Sequence, residues 1–231
     1  MQSEIASLPS VISWGVASRA LPGESVSGDM YVVKPIADGY LLAVVDGLGH
    51  GDEAVLAARA TLPVLEAYTG GPLDALVKRC HEALRQTRGV VMTVATLRLA
   101  QNQLTWLGVG SVEACLLRAA DAEKVRGEGV LLRETAETGT LSRLASAISE
   151  RVLLRSGIVG YQLPKLHTST LTLGPGDLLA FATDGIGAGF TKELPRSNSP
   201  QQLADQILEK HFKGNDDALV LVVCYLGASH E

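Results

Sequence analysis

The sequence predicts an α/β protein of the α+β kind, with mainly antiparallel sheets sandwiched between layers of helices. Three observations carry that expectation. Short runs rich in Val, Tyr and Leu open the chain, broken by Pro22-Gly23 and Asp38-Gly39. Two helical patterns then follow one another directly. Strand patterns return after them without the strand-helix-strand alternation of a parallel sheet. A sheet or an amphipathic helix must bury its apolar face, and runs of strands interrupted by paired helices do so by stacking sheets under helices.

The first strands are expected at Ile12 to Ala20, Asp29 to Lys34 and Tyr40 to Val45. Asp38-Gly39 is a hairpin signal because both residues tolerate positive φ, so Tyr31 to Val33 should pair antiparallel with Leu41 to Val45. Beyond Gly47, Gly49 and Gly51, the residues Ala54, Ala58, Leu62 and Leu65 recur at helical spacing, with Pro63 a potential kink. A second helix shows Leu73, Leu76, Val77, Cys80 and Leu84 as one stripe, entered at Gly71-Pro72. Strands at Val90 to Leu99, Leu104 to Val109 and Val112 to Arg118 then read as a meander. The polar, uneven stretch from Ala119 to Gly160 reads as an insertion or flap (119–160) with a short helix from Leu141 to Ile148. Strands at His167 to Leu173 and Leu178 to Thr183, a helix at Pro200 to Phe212 and a strand at Ala218 to Leu226 complete the chain.

An apolar content of 46% spread evenly over 231 residues, with no polar linker, favours one domain spanning 1–231. Twenty basic against 25 acidic residues leave no electrostatic footprint for a polyanion, which argues against nucleic acid as a partner. Cys80, Cys115 and Cys224 are odd in number, far apart and set among apolar residues, the pattern of core thiols rather than of a disulfide framework or a zinc site. Neither a signal-like N-terminus nor an apolar run long enough to span a bilayer is present, and the expected location is cytoplasmic, away from the membrane.

The chemistry is expected at acids that end apolar strands beside glycine or another acid: Asp29, Asp46, Asp184, and Asp216 with Asp217. A carboxylate leaving a buried strand is costly unless it is paired or metal-bound, and clustered carboxylates suit hard, oxygen-seeking cations. Any one Asp-Gly after a strand is more often an ordinary turn; four such positions shift the balance towards a site. Gly49-His50-Gly51-Asp52-Glu53-Ala54 formally fits a dinucleotide fingerprint, but a helix follows where the second parallel strand should stand, and no Walker lysine motif is present. The glycines are instead expected to bend the backbone so that the Gly47 carbonyl faces a cation. His50 suits either a proton shuttle or a helix cap.

The order Gly28-Asp29, Val45-Asp46-Gly47-Leu48-Gly49-His50-Gly51, Thr183-Asp184-Gly185 and Asp216-Asp217 resembles the metal-dependent protein phosphatases of the protein phosphatase 2C fold, in their SpoIIE-type branch. Arg79-Cys80-His81-Glu82-Ala83-Leu84 leading to Arg88-Gly89 is similar to the RsbX-like stressosome phosphatases of that branch. The resemblance implies an α/β/β/α sandwich of two mainly antiparallel sheets flanked by helix pairs, two divalent cations (Mn²⁺ or Mg²⁺), and phosphoserine or phosphothreonine substrates, in particular phosphorylated STAS-domain stressosome proteins. It also implies that Asp46 bridges the cations, the Gly47 carbonyl completes one coordination sphere, Asp184 and Asp216 hold the second ion, and Asp29 binds directly or through water. Asp217 is the substitute if the last pair is shifted by one. Asp46 and Asp184 are the expected catalytic acids. The phosphate-binding arginine of the eukaryotic branch has no match in Pro22 to Ser27.

The expected reaction is in-line attack on phosphorus by a water bridging the two cations. Two rival readings belong to other classes: a phosphoprotein-binding module with weak or no catalysis, and a two-metal nucleotidase or cyclase.

Overall fold

The computed structural model describes residues 11–119, 150–191 and 199–227. Two sheets stack face to face. Strands β1 (Ile12–Arg19), β6 (Glu113–Leu117), β7 (Glu150–Arg151), β10 (Leu178–Ala182) and β11 (Ala218–Tyr225) form one, in the order β1-β11-β10-β6-β7. The other contains β2 (Asp29–Ile36), β3 (Gly39–Gly47), β4 (Val90–Arg98), β5 (Gln103–Val109) and β8 (Leu154–Arg155), in the order β2-β3-β4-β5-β8, with β9 (Ser169–Thr172) on the same flank of β5. Among the described residues every strand pairing is antiparallel except that of β5 with β8.

Helices α1 (Asp52–Glu66) and α2 (Leu73–Ala83) cover the second sheet, and α3 (Pro200–His211) covers the first. The alternation of side chains along a strand explains why the central strands read as unbroken apolar runs. In β3, Leu42 and Val44 face the other sheet while Leu41, Ala43 and Val45 face α1 and α2. In β11, Leu219, Leu221 and Val223 enter the inter-sheet core while Ala218, Val220 and Val222 meet α3. Both faces are covered, so no polar residue interrupts Leu41 to Val45 of β3 or Ala218 to Val223 of β11.

The expected hairpin forms with Tyr31 opposite Val44 and Val33 opposite Leu42. Pro63 sits inside α1, one turn from its end, where its carbonyl accepts from Ala67 N at 3.0 Å. The expected meander does not close. After β5 the chain turns at Gly110, whose φ is +89°, and β6 crosses into the other sheet to pair with β10. Thr93 Oγ1 fixes that crossing by donating to Val112 O at 2.6 Å. A sequence of three strands fixes no partner, and here burial on the inner face decided it. The helix expected at Leu141 to Ile148, like most of the proposed flap, lies outside the described residues; the described end of that segment supplies the short edge strands β7 and β8. Among the described residues no helix is long and apolar enough to cross a membrane.

Strand β1 is an edge, and α3 lies directly on it. Gln201 accepts from Val16 N at 3.1 Å and donates to Val16 O at 2.7 Å, occupying the backbone groups that an edge would otherwise expose. That approach requires Gly15, where a Cβ would lie 2.2 Å from Gln201 Cα. Gly15→Ala is therefore expected to cost about 1–3 kcal/mol through overpacking, a drop of roughly 2–12 °C in melting temperature. Gly174→Ala, whose nearest contact would be 3.9 Å away, should melt within a degree or two of the parent; differential scanning calorimetry of both variants checks this.

Candidate active site

The two sheets bring their acidic strand ends to one place. Asp29 opens β2 and lies directly opposite Asp46 near the end of β3. Across the sandwich, the turn after β10 carries Thr183 and Asp184, and the segment before β11 carries Asp216 and Asp217. Thr183 N donates to Leu219 O at 3.1 Å and Leu219 N donates to Thr183 Oγ1 at 2.8 Å, which holds those two segments side by side. Thr183 Oγ1 then donates to Asp29 Oδ2 at 2.7 Å and joins the two sheets at the site.

Neutral donors position the other acids. Ser111 Oγ, just past the crossing after β5, donates to Asp184 Oδ2 at 3.2 Å. Asp217 is 3% exposed and both its oxygens are used, accepting from Leu21 N and Gly28 N at 2.7 Å each. It ties the loop between β1 and β2 to β11. Asp216, less buried, accepts from Asp217 N at 2.9 Å. Of the pair, Asp217 is the structural anchor.

The electrostatics show that the acids converge. Burial and then repulsion from Asp29, Asp184, Asp216 and Asp217 push Asp46 up to about 9. Burial pushes Asp29 up to about 8, opposed by the Thr183 hydrogen bond and reinforced by Asp217, Asp216 and Asp184. Asp216 is raised by burial, with Asp184 and Asp217 adding to the shift while its bond from Asp217 N and the nearby His50 oppose it. Among the described residues no three His, Cys, Asp or Glu side chains already stand as a closed cation cage. The acids feel one another's charge without sharing one point. An all-oxygen donor set with this repulsion fits a hard divalent cation, which would replace the protons the pair otherwise retains.

The glycine run does two separate jobs. Gly47 ends β3 where a Cβ would lie 2.1 Å from Ala54 O of α1, so it permits close packing rather than an unusual φ. Gly49 and Gly51 do need positive φ, at +85° and +72°. Arg88 lies over Gly49 and pairs with Glu53 of α1, while Leu48 N donates to Gly89 O at 3.2 Å. His50 does not cap α1, whose N-cap is Gly51; its Nδ1 stands 3.0 Å from Glu24 Oε1 on an exposed rim. His81 Nδ1 accepts from Gly160 N at 2.9 Å.

Sequence reading assigned no role to Thr183, Ser111, Glu24 or Lys213. Thr183 lies in the Thr183-Asp184-Gly185 motif, but its hydroxyl finds its partners, Leu219 N and Asp29 Oδ2, only through tertiary packing. Ser111 carries no local signal at all.

A family model described as Stage II sporulation protein E (SpoIIE) matches residues 37–226. The phosphoserine phosphatase RsbX of Bacillus subtilis (strain 168) is 30% identical over 94 residues, 41% of this chain and 47% of that protein. The chain spans about half or less of the length of the curated relatives it matches. A solved chain from work on the bacterial stressosome, as a modular system adapted to control secondary messenger signalling, superposes with a TM-score of 0.75 at 28% identity, covering 92% of this chain and 98% of that one. RsbX in complex with magnesium gives 0.73 at 21% identity, covering 94% and 96%. The PP2C phosphatase domain of SpoIIE from Bacillus subtilis gives 0.69 at 22%, covering 95% and 64%. At those last two identities the likeness is one of fold, the PP2C sandwich.

Asp29 and Asp46 hold protons more tightly in the folded chain than in the unfolded one, whose carboxylates titrate near 3.8. The folded state therefore binds more protons between about pH 4 and 9, and this contribution to stability is lost as pH rises through that window. In EDTA, the melting temperature of the parent should fall between pH 5 and pH 9 more steeply than that of Asp46→Asn, which carries no charge at the most strongly shifted position. Parallel slopes in thermal melts would remove the proposed repulsion.

Proposed function

We propose that this chain, which belongs to the SpoIIE family, is a divalent-cation-dependent phosphatase of phosphoserine or phosphothreonine in proteins. The observation that carries the reading is the convergence of Asp29, Asp46, Asp184 and Asp216 from two sheets onto one end of the sandwich, against a repulsion that pushes Asp46 up to about 9. Such a cluster is stable in its charged form only with cations among the acids.

Asp46, Asp29, Asp184, Asp216 and the Gly47 carbonyl would hold two ions, Mn²⁺ or Mg²⁺. When bound, such a pair supplies an activated water and neutralises charge on the phosphoryl oxygens. The protein's own part is orientation. Thr183 sets the rotamer of Asp29 and Ser111 that of Asp184. Asp217 fixes the loop that carries Gly28 into Asp29. No side chain is required as a covalent nucleophile.

The substrates are proposed to be phosphorylated STAS-domain proteins of a stressosome, a reading supported by the likeness to the phosphoserine phosphatase RsbX and to a chain from the stressosome work. Single-domain organisation over 1–231 and a cytoplasmic location belong to the same proposal.

With Mn²⁺ present, the chain should release phosphate from p-nitrophenyl phosphate and from phosphorylated STAS-domain protein but not from nucleotides, and EDTA should stop it. Asp46→Asn is expected to lower turnover by about a hundredfold or more. Turnover within a few-fold of the parent, measured by malachite-green phosphate release, would sink the assignment of Asp46. Binding of phosphoprotein without phosphate release would favour the binding-module reading.

A further inference from the structure

The cations the acids would hold meet the phosphoryl group on one side, and a donor of the protein beside them can take a further oxygen. A cavity of about 280 Å³ opens against the Thr183–Gly185 turn, and its wall includes Asp184, Ser111, Glu113, Ile186, Phe190 and Lys213. Its volume lies below the roughly 300–1,000 Å³ of small-molecule pockets, and suits one side chain with its backbone better than a cofactor.

Lys213 is fixed there at both ends. Its backbone N donates to Gly185 O at 2.9 Å, and its Nζ returns to donate to Asp184 O at 2.5 Å. The bond is to a carbonyl, and among the described residues Lys213 forms no ion pair. An ammonium has three donors, so two remain for a ligand beside Asp184. On the same wall, Glu113 Oε2 is buried 3.6 Å from Arg151 Nη1. Ile186 and Phe190, 4% and 1% exposed, make the apolar part. An ammonium beside the acid cluster and an apolar wall are the complement of a phosphorylated residue followed by its chain neighbour.

We propose that Lys213 grips the phosphoryl group of the substrate and that the cavity it lines receives the residue adjoining the phosphorylated one. This rests on the phosphatase reading above and adds a phosphate-binding residue and a specificity pocket to it. Lysine serves as a point charge for phosphate without needing a bidentate fork.

The test uses the Mn²⁺-loaded chain, with p-nitrophenyl phosphate, a phosphoserine peptide and inorganic phosphate as probes. Lys213→Gln should raise KM for both substrates, and the calorimetric Kd of inorganic phosphate, by about tenfold, the loss of one charged hydrogen bond. Its melting temperature and Mn²⁺ affinity should not fall, whereas a merely structural lysine would lower both. Lys213→Arg should keep most of the phosphate affinity. Ala188→Trp, on the exposed side of the cavity, should raise KM for the peptide but not for p-nitrophenyl phosphate, which has no adjoining residue. An active parent with unchanged phosphate Kd in Lys213→Gln overturns the grip, and equal effects of Ala188→Trp on both substrates overturn the pocket. A parent inactive on every phosphomonoester overturns the phosphatase reading, and this inference with it.

Discussion

Like charges gathered at the end of a packed sandwich repel, and the rest of this fold is arranged around holding them there. The restraint is exerted by neutral groups. Thr183 donates to Asp29, Ser111 to Asp184, and two backbone N–H groups to Asp217. Had arginines or lysines paired with these carboxylates, the acids would be satisfied and their field cancelled. Hydrogen bonds from neutral donors fix geometry while leaving the negative potential in place, and that potential is what a cation requires.

The sandwich supplies the rigidity that such an arrangement needs. Asp29 and Asp46 form the end rung of one antiparallel ladder of eight pairs, which sets their spacing. Asp184 and Asp216 are placed by the β10–β11 ladder. The Thr183–Asp29 bond crosses between the two ladders, and the inter-sheet core of Leu42, Val44, Phe181 and Leu221 keeps them from sliding. A change in that core would reach the site through the register of the strands rather than through contact with an acid.

The glycines beside the acids show the same economy of space. Gly47 lets α1 approach β3, and Gly185 lets Asp217 O pass where a Cβ would lie 1.9 Å away. Both are needed because helix and turn must come close enough for backbone and side-chain donors to reach carboxylates whose chain positions are far apart. An Asp-Gly pair in this protein is thus a site feature for a packing reason, and the positive φ often invoked for such glycines belongs to Gly49 and Gly51 instead.

Much of this was legible along the chain. Local patterns determined the strands and helices, because alternation and helical spacing are properties of neighbours, and the acids at strand ends stood out because an apolar run rarely stops at a bare carboxylate. What local pattern does not encode is partnership. The transfer of β6 to the opposite sheet, the division of labour between Asp216 and Asp217, and the involvement of Ser111, Thr183 and Lys213 all depend on contacts between distant segments. Asp216 and Asp217 are adjacent and identical in type, and the backbone donors Leu21 N and Gly28 N, nearly two hundred residues earlier, make Asp217 the anchor. The sequence by itself determined which residues carry charge and where the chain is extended or coiled; tertiary packing decided which charges meet, because proximity through space is settled by burial of the faces between them.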